Sequence, residues 1–482
     1  MSPSIIFTII AIYFSALILI AYFTSKGSNS ENFFTADKKA PWFIVAFGMI
    51  GASLSGVTFI SIPGEVGTAQ FSYFQMVLGY LAGYLVIGLV LMPLYYRLNL
   101  ISIYTYLEHR FGFWSYKTGS FFFLLSRTIG SAFRLYLVAA VLDLTIFADL
   151  GIPFSVNVLI TIALIWVYTF KGGMKTIIWT DTFQTFFLIS AVVISVVLIA
   201  QKLDLDVPNL ITTVKNSNYS QIFFWEWRDD KFFFKQFFAG MFIAITMTGL
   251  DQDLMQKNLA CKNIAEAQKN MFSFSVVLVI VNFLFITLGA LLYIYANSEN
   301  IAIPTKTDQL YPLLALKLGS FGIIAAIFFL LGIIASSYAS ADSALASLTT
   351  AFCIDFLDFA NKKESQRQHL KFWVHLGFSL LLFVVIMIFQ TINDASVIKA
   401  VFKVAGYTYG PLLGLFAFGL FTKIAVKDKF VPLICVFSPC LCYFLNVNSV
   451  VLLNGYKFGF ELLILNGLIT FVGLWLIRIK KR

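Results

Sequence analysis

Thirteen apolar stretches, each near the roughly 20 residues that carry a helix across a bilayer, leave this chain little choice of surroundings. They run approximately over 3–24, 42–64, 73–97, 118–145, 152–170, 175–201, 235–255, 272–297, 318–357, 369–391, 396–421, 428–447 and 458–480. In hydrocarbon every backbone N–H and C=O must find a partner inside the protein, which favours helices. Composition agrees: 12% of residues are charged, where soluble domains carry roughly 25%. The expected fold is an all-α polytopic membrane protein. Its ninth span, 318–357, is too long for one simple crossing and is expected to project beyond the bilayer. The first lacks a basic start and a small-residue cleavage site, so it reads as a retained helix.

A net charge of +10 would suit a nucleic-acid partner, but the placement of the charge argues otherwise. With "RIKKR" at the C-terminus cytoplasmic and the spans alternating, cytoplasmic segments hold 22 Lys/Arg and outer segments 8. The remaining four, Arg127, Arg134, Lys399 and Lys403, lie inside spans. This is the positive-inside bias; it puts the N-terminus outside and the C-terminus in the cytoplasm. Three of the five cysteines fall in "CVFSPCLC" (435–442) without metal-ligand partners, and the three histidines form no cluster with carboxylates. No catalytic site is indicated.

Two spans look interrupted. The second reads "AFGMIGASLSGVTFISIPG" (46–64), with Gly48, Gly51 and Gly56 among Ser53, Ser55 and Thr58; the seventh reads "AGMFIAITMTGLDQDLM" (239–255), with Gly249 beside Thr246, Thr248 and Asp251. Gly-interrupted helices at matching places five spans apart point to an inverted-repeat secondary transporter, in which unwound backbone faces the ion and the solute. The outer segment "FFWEWRDDKFFFK" (223–235) reads as an interfacial belt, or alternatively as an interfacial helix or cap.

The ninth span carries "IIASSYASADSALASLTT" (333–350), with seven serines and threonines and Asp342. Ser336, Ser340, Ser343 and Ser347 are spaced four, three and four apart and so form one stripe on a helix. Small residues suit close helix packing, but a carboxylate in a membrane helix needs a partner, which leaves packing and a cation site both open. Asp342 lies about a third of a turn from that stripe. Asp181, in "WTDTFQ", is the other candidate carboxylate.

In seven local patterns the chain resembles the sodium:solute symporters, the family of bacterial proline, galactose and sialic acid transporters. They are "NFFTADKKAPWF" (32–43), "SGVTFISIPG" (55–64), "YLEHRFG" (106–112), "GGMKTIIWTDTFQ" (172–184), "GLDQDLMQK" (249–257), "DSALASLTT" (342–350) and "YGPLLGLFAFGLF" (409–421). The resemblance implies a LeuT-type 5+5 inverted-repeat core. Within a single transport domain (1–482) there would be a leading helix at 3–24, repeats at 42–201 and 235–421, and two trailing helices at 428–480. It further implies a sodium-coupled symporter in a bacterial inner membrane, with Na+ as coupling ion, a small solute and no obligate protein partner.

By the same resemblance, carbonyls of Gly51 and Leu54 would join Ser336, Ala339 and the Ser340 hydroxyl in the principal sodium site. Ala339 departs from the family there, which commonly has a second hydroxyl. Asp181, Asp342 and Ser343 match a second sodium site; alternatively each aspartate pairs with a nearby donor, or one holds a proton. Ser55, Thr58, Phe71, Gln75 and Arg134 match residues that hold a solute in sialic acid transporters, and Asp251 and Gln252 are candidate pocket-lining residues. An intramembrane arginine is costly by about 2.5–3.5 kcal/mol even on lenient scales, so Arg134 needs an anion. Either a solute carboxylate or a structural partner, Asp143 or Asp181, would serve. Arg127 sits two turns away on the same face, and Lys399 and Lys403 are expected to snorkel to the interface. An organic anion, sialic acid first, is the leading solute. A neutral sugar, polyol or amino acid, or a non-transporting sensor on the same fold, are the alternatives.

Overall fold

A computed structural model describes residues 3–24, 40–143, 147–148, 150–357, 359, 362–392 and 396–479. Most of the "NFFTADKKAPWF" pattern lies outside them. The described chain is helical, with two isolated bridges, Ala40 to Cys261 and Val426 to Arg478, as its only β pairing.

In chain order the main helices are α1 (Pro3–Thr24), α2 (Trp42–Ser53), α3 (Gly56–Ala69), α4 (Tyr73–Arg97), α5 (Phe113–Leu142), α6 (Phe154–Lys202), α7 (Phe233–Gly249) and α8 (Gln252–Leu259). They continue with α9 (Ile264–Ser298), α10 (Gly322–Phe356), α11 (Glu364–Ile392), α12 (Val397–Thr408), α13 (Gly410–Phe421), α14 (Asp428–Val447) and α15 (Leu462–Leu476). Among the described residues, eight helices are long and apolar enough to cross a membrane, or up to eleven if each of three bent pairs is one span. The spans expected at 152–170 and 175–201 run on as the single helix α6, because nothing in "FKGGMK" blocks a helix: glycine weakens one without ending it. The 35 residues of α10 reach about 52 Å, well past a hydrocarbon core of about 30 Å.

The three bends place the site. Between α2 and α3 the axis turns by 55° at Leu54 and Ser55, whose ψ angles of 70° and 174° leave the helical region. Between α7 and α8 it turns by 64° at Leu250–Asp251. The two breaks fall where the glycine-interrupted spans predicted them. A third bend of 46°, between α12 and α13, was not foreseen in the single span 396–421; Pro411 at the start of α13 cannot donate a helix hydrogen bond.

Around these breaks α10 is the central post. It packs along α6 on one side and α5 on the other, and touches both α2 and α3. Its face from Ala325 to Ala351 is almost wholly buried, hydroxyls included. Close approach is written into the glycines: a Cβ on Gly56 would lie 2.1 Å from the Ser337 hydroxyl, and one on Gly51 2.2 Å from that of Thr185. The 223–232 segment is neither helix nor loose belt. Gln75 pins it, donating to the Lys231 carbonyl at 2.9 Å and accepting from the Phe224 N–H at 3.1 Å.

Candidate functional site

A cavity lies at the first break, between α3, α4, α5, α7 and α12. Leu54, Ser55, Thr58, Arg127, Arg134 and Thr248 line it together with aromatic and aliphatic side chains. Ser55 and Thr58 reach it because the unwound turn exposes their face. Arg134 reaches it from the middle of α5, where it donates to the Ser340 hydroxyl at 2.9 Å, and its Nε finds no hydrogen-bond partner. Among the described residues no carboxylate lies within ion-pair distance of Arg134: Asp181 is held by Lys257 at 2.6 Å, while Asp251 and Asp253 face Arg127. The structural partners proposed from sequence, Asp143 and Asp181, are therefore not its partners.

Arg127, two turns earlier, is different in kind. It forms an ion pair with Asp253, lies 3.9 Å from Asp251, and all three are buried. One arginine on this face is neutralised and the other is not. That asymmetry comes from the second break, where leaving the helix at Leu250 swings Asp251 and Asp253 under Arg127.

Several expected solute contacts are placed elsewhere. Phe71 and Gln75 do not line the cavity: Phe71 is buried against Phe283, and both polar ends of Gln75 are spent on the 223–232 segment. Gln252 is likewise committed, accepting from the Ile103 N–H at 3.0 Å and donating to the Ile101 carbonyl at 2.7 Å. Asp251 caps α8 through the Asp253 N–H at 2.9 Å and takes the Tyr409 hydroxyl, from the third bend, at 2.5 Å. These residues organise the site's surroundings rather than its surface.

The two segments that carry the expected principal sodium ligands, the end of α2 and the middle of α10, pack against each other. The last carbonyls of a helix have no intrahelical donor, and among the described residues no backbone N–H reaches those of Gly51 or Leu54. Against this break stands α10, where Ser336, Ala339 and Ser340 are buried on the post. Ser337, which the sequence reading passed over, also belongs here: its hydroxyl is buried, unpartnered and directed at Gly56. At the second break the carbonyls of Gly249 and Leu250 are taken, by the hydroxyls of Tyr95 and Tyr104, each at 2.9 Å.

The expected second sodium ligands are taken up otherwise. Asp181 Oδ2 holds Lys257 Nζ at 2.6 Å, the Ser343 hydroxyl donates to Asp253, and Asp342 Oδ1 accepts from the Ser343 N–H at 2.5 Å. Lys257 falls just beyond the expected end of the seventh span, where sequence alone counts it as a loop charge. Its four-residue spacing from Asp253 was the available hint that it belongs to a helix with a polar inner face.

On the far side of the cavity, Tyr73, Ile398 and Phe402 separate it from a second cavity carrying Glu65, Lys399, Asp230 and Lys231. The Tyr73 and Tyr80 hydroxyls meet at 3.2 Å. Lys399 pairs with Glu65 at 2.6 Å, tying α12 to α3.

A family model described as the sodium:solute symporter family matches residues 33–428. The sodium/sialic acid symporter of Aliivibrio fischeri is 27% identical over 435 residues, covering 86% of this chain and 82% of that protein. The human sodium/iodide cotransporter is 24% identical over 408 residues, covering 82% of this chain and 61% of that protein. A solved sodium-coupled sialic acid symporter, substrate-bound and outward-open, superposes over 98% of this chain and 97% of its own, with a TM-score of 0.83 at 21% identity. The fold is thus of the LeuT type expected from sequence.

Proposed function

This chain belongs to the sodium:solute symporter family, and from that premise we propose that it imports a carboxylate-bearing organic anion, sialic acid first, together with sodium. The observation that carries the choice of solute is Arg134, a half-buried guanidinium facing the cavity with a hydroxyl as its hydrogen-bond partner and, among the described residues, no carboxylate within ion-pair distance. A planar guanidinium binds a carboxylate through two parallel hydrogen bonds. Ser55 and Thr58 stand on the same cavity wall to accept or donate the remaining contacts. Relatives named for sialic acid and for iodide carry solutes that share negative charge rather than shape, which supports an anion.

Sodium would bind to the carbonyls of Gly51 and Leu54 and to the α10 residues Ser336, Ala339 and Ser340, joining the broken helix to the post. The Arg134–Ser340 hydrogen bond links that site to the solute. A solute carboxylate would draw the guanidinium off Ser340 and neutralise it, freeing the hydroxyl oxygen for the ion. Each ligand would then bind better when the other is present, which is the thermodynamic content of coupling. The cytoplasmic C-terminus and outer N-terminus remain part of this proposal, resting on the lysine and arginine bias.

The test is ligand-induced stabilisation of the purified protein. Sialic acid should raise the unfolding midpoint in sodium and far less in potassium, and Arg134→Ala should abolish the response. No stabilisation by sialic acid or by simpler carboxylates, alongside stabilisation by a neutral sugar, would reassign Arg134 to structure.

A further inference from the structure

Where the resemblance to sialic acid transporters implies a second sodium, the chain supplies a cation of its own. We propose that the ammonium of Lys257, and not a second sodium ion, neutralises Asp181, so that one sodium accompanies each solute. This deepens the symporter reading and rests on it.

The expected second site needs Asp181, Asp342 and Ser343 as oxygen ligands, and the residues present do not fit that task. Lys257 Nζ sits 2.6 Å from Asp181 Oδ2, with the two side chains 1% and 0% exposed. A sodium ion brought to the same oxygen would meet a fixed positive charge at contact distance, at a site buried away from bulk solvent where screening is weak. Ser343 is withdrawn as well, since its hydroxyl donates to Asp253, itself paired with Arg127. Ala339 offers no hydroxyl. Asp342 alone does not rebuild the site: its Oδ1 is turned onto the Ser343 N–H.

The pair also has a place in the fold that a free ion would not. Lys257 belongs to α8, the half of the broken helix beyond the second bend, and Asp181 to α6, which packs along the α10 post. A tethered ammonium therefore joins α8 to the post side of the protein whether or not sodium is present. Asp181 Oδ1 has no hydrogen-bond partner, so Lys257 supplies charge without filling the coordination sphere. Removing the ammonium would leave a buried carboxylate with both oxygens open and its charge unmatched, so that a sodium ion would enter as its counterion, with the neighbouring oxygens released to complete the coordination.

The test counts radiolabelled sodium bound per full-length chain in detergent at pH 8, without any solute, so it does not depend on which solute is carried. Wild type and Lys257→Arg should each bind one ion, and Lys257→Met should bind two. Two ions on wild type would overturn the proposal outright, even if the Met variant failed to fold. So would a folded Lys257→Met protein that binds no more sodium than wild type. No ion on wild type would overturn it together with the principal-site reading, whereas failure of sialic acid to stabilise the protein would leave the count standing.

Discussion

Replacing Arg134 by methionine should tighten sodium binding while destroying solute binding. The guanidinium donates to Ser340 Oγ at 2.9 Å, so a cation held by that oxygen would lie within about 5 Å of the positive charge. At an effective dielectric of about 20, that repulsion is about 3 kcal/mol, and nearby acidic groups reduce it further. A coupling of about 1–3 kcal/mol corresponds to roughly 5–150-fold in affinity. The assay is equilibrium binding of labelled sodium without solute, on wild type, Arg134→Met and Arg134→Lys. Methionine should lower the sodium dissociation constant by that factor. Lysine, which keeps the charge, should leave it much closer to wild type. Because no acid is orphaned by the change, the Met variant should also be at least as stable as wild type. Sodium affinities for wild type and Arg134→Met that agree within threefold would refute the argument that this hydrogen bond links the two sites.

Arg127, though on the same face of α5, should behave in the opposite way. Arg127→Met leaves Asp253 buried and uncompensated, a loss of about 3–5 kcal/mol that a thermal unfolding series would report, and Asp253→Asn in the same chain should recover much of it. Gly56→Ala should force the broken helix off α10, because its new Cβ would lie 2.1 Å from Ser337 Oγ; pairing it with Ser337→Ala, where the remaining Cβ is at 3.4 Å, should restore sodium-dependent uptake. With one sodium and a monovalent anion, transport is electroneutral, so an imposed 100 mV should not change solute accumulation by wild type. A variant carrying a second sodium, as expected of Lys257→Met, should gain about 2.3 kcal/mol per 100 mV, or roughly 50-fold in accumulation ratio.

The fold was legible in the sequence where single segments decide it. Span length fixed the solvent, and the glycines at 48, 51, 56 and 249 marked both broken helices. The bend at Tyr409 was missed because its cause, Pro411, sits inside an otherwise uniform apolar run. At the site, Ser55, Thr58 and Arg134 could be named because each lies at or near a visible anomaly: an unwound turn, or a charge in hydrocarbon. Residues whose task depends on a partner far along the chain were harder to place. Gln75 is a sensible solute ligand until its hydrogen bonds to Phe224 and Lys231 are known. Lys257 reads as a loop charge until α8 carries it inward to Asp181, 76 positions earlier in the chain. Periodicity gives the face of a helix and says nothing of which distant acid or base that face will meet.

The central claim, a sodium-driven importer of an organic anion selected by Arg134, is tested most directly by uptake into proteoliposomes. Labelled sialic acid would be supplied outside, with an inward sodium gradient or an equal potassium gradient, to wild type and to Arg134→Ala. The account predicts accumulation with sodium alone, absent in the variant although the variant still binds sodium. Uptake that ignores the sodium gradient, or that survives in Arg134→Ala, would contradict it.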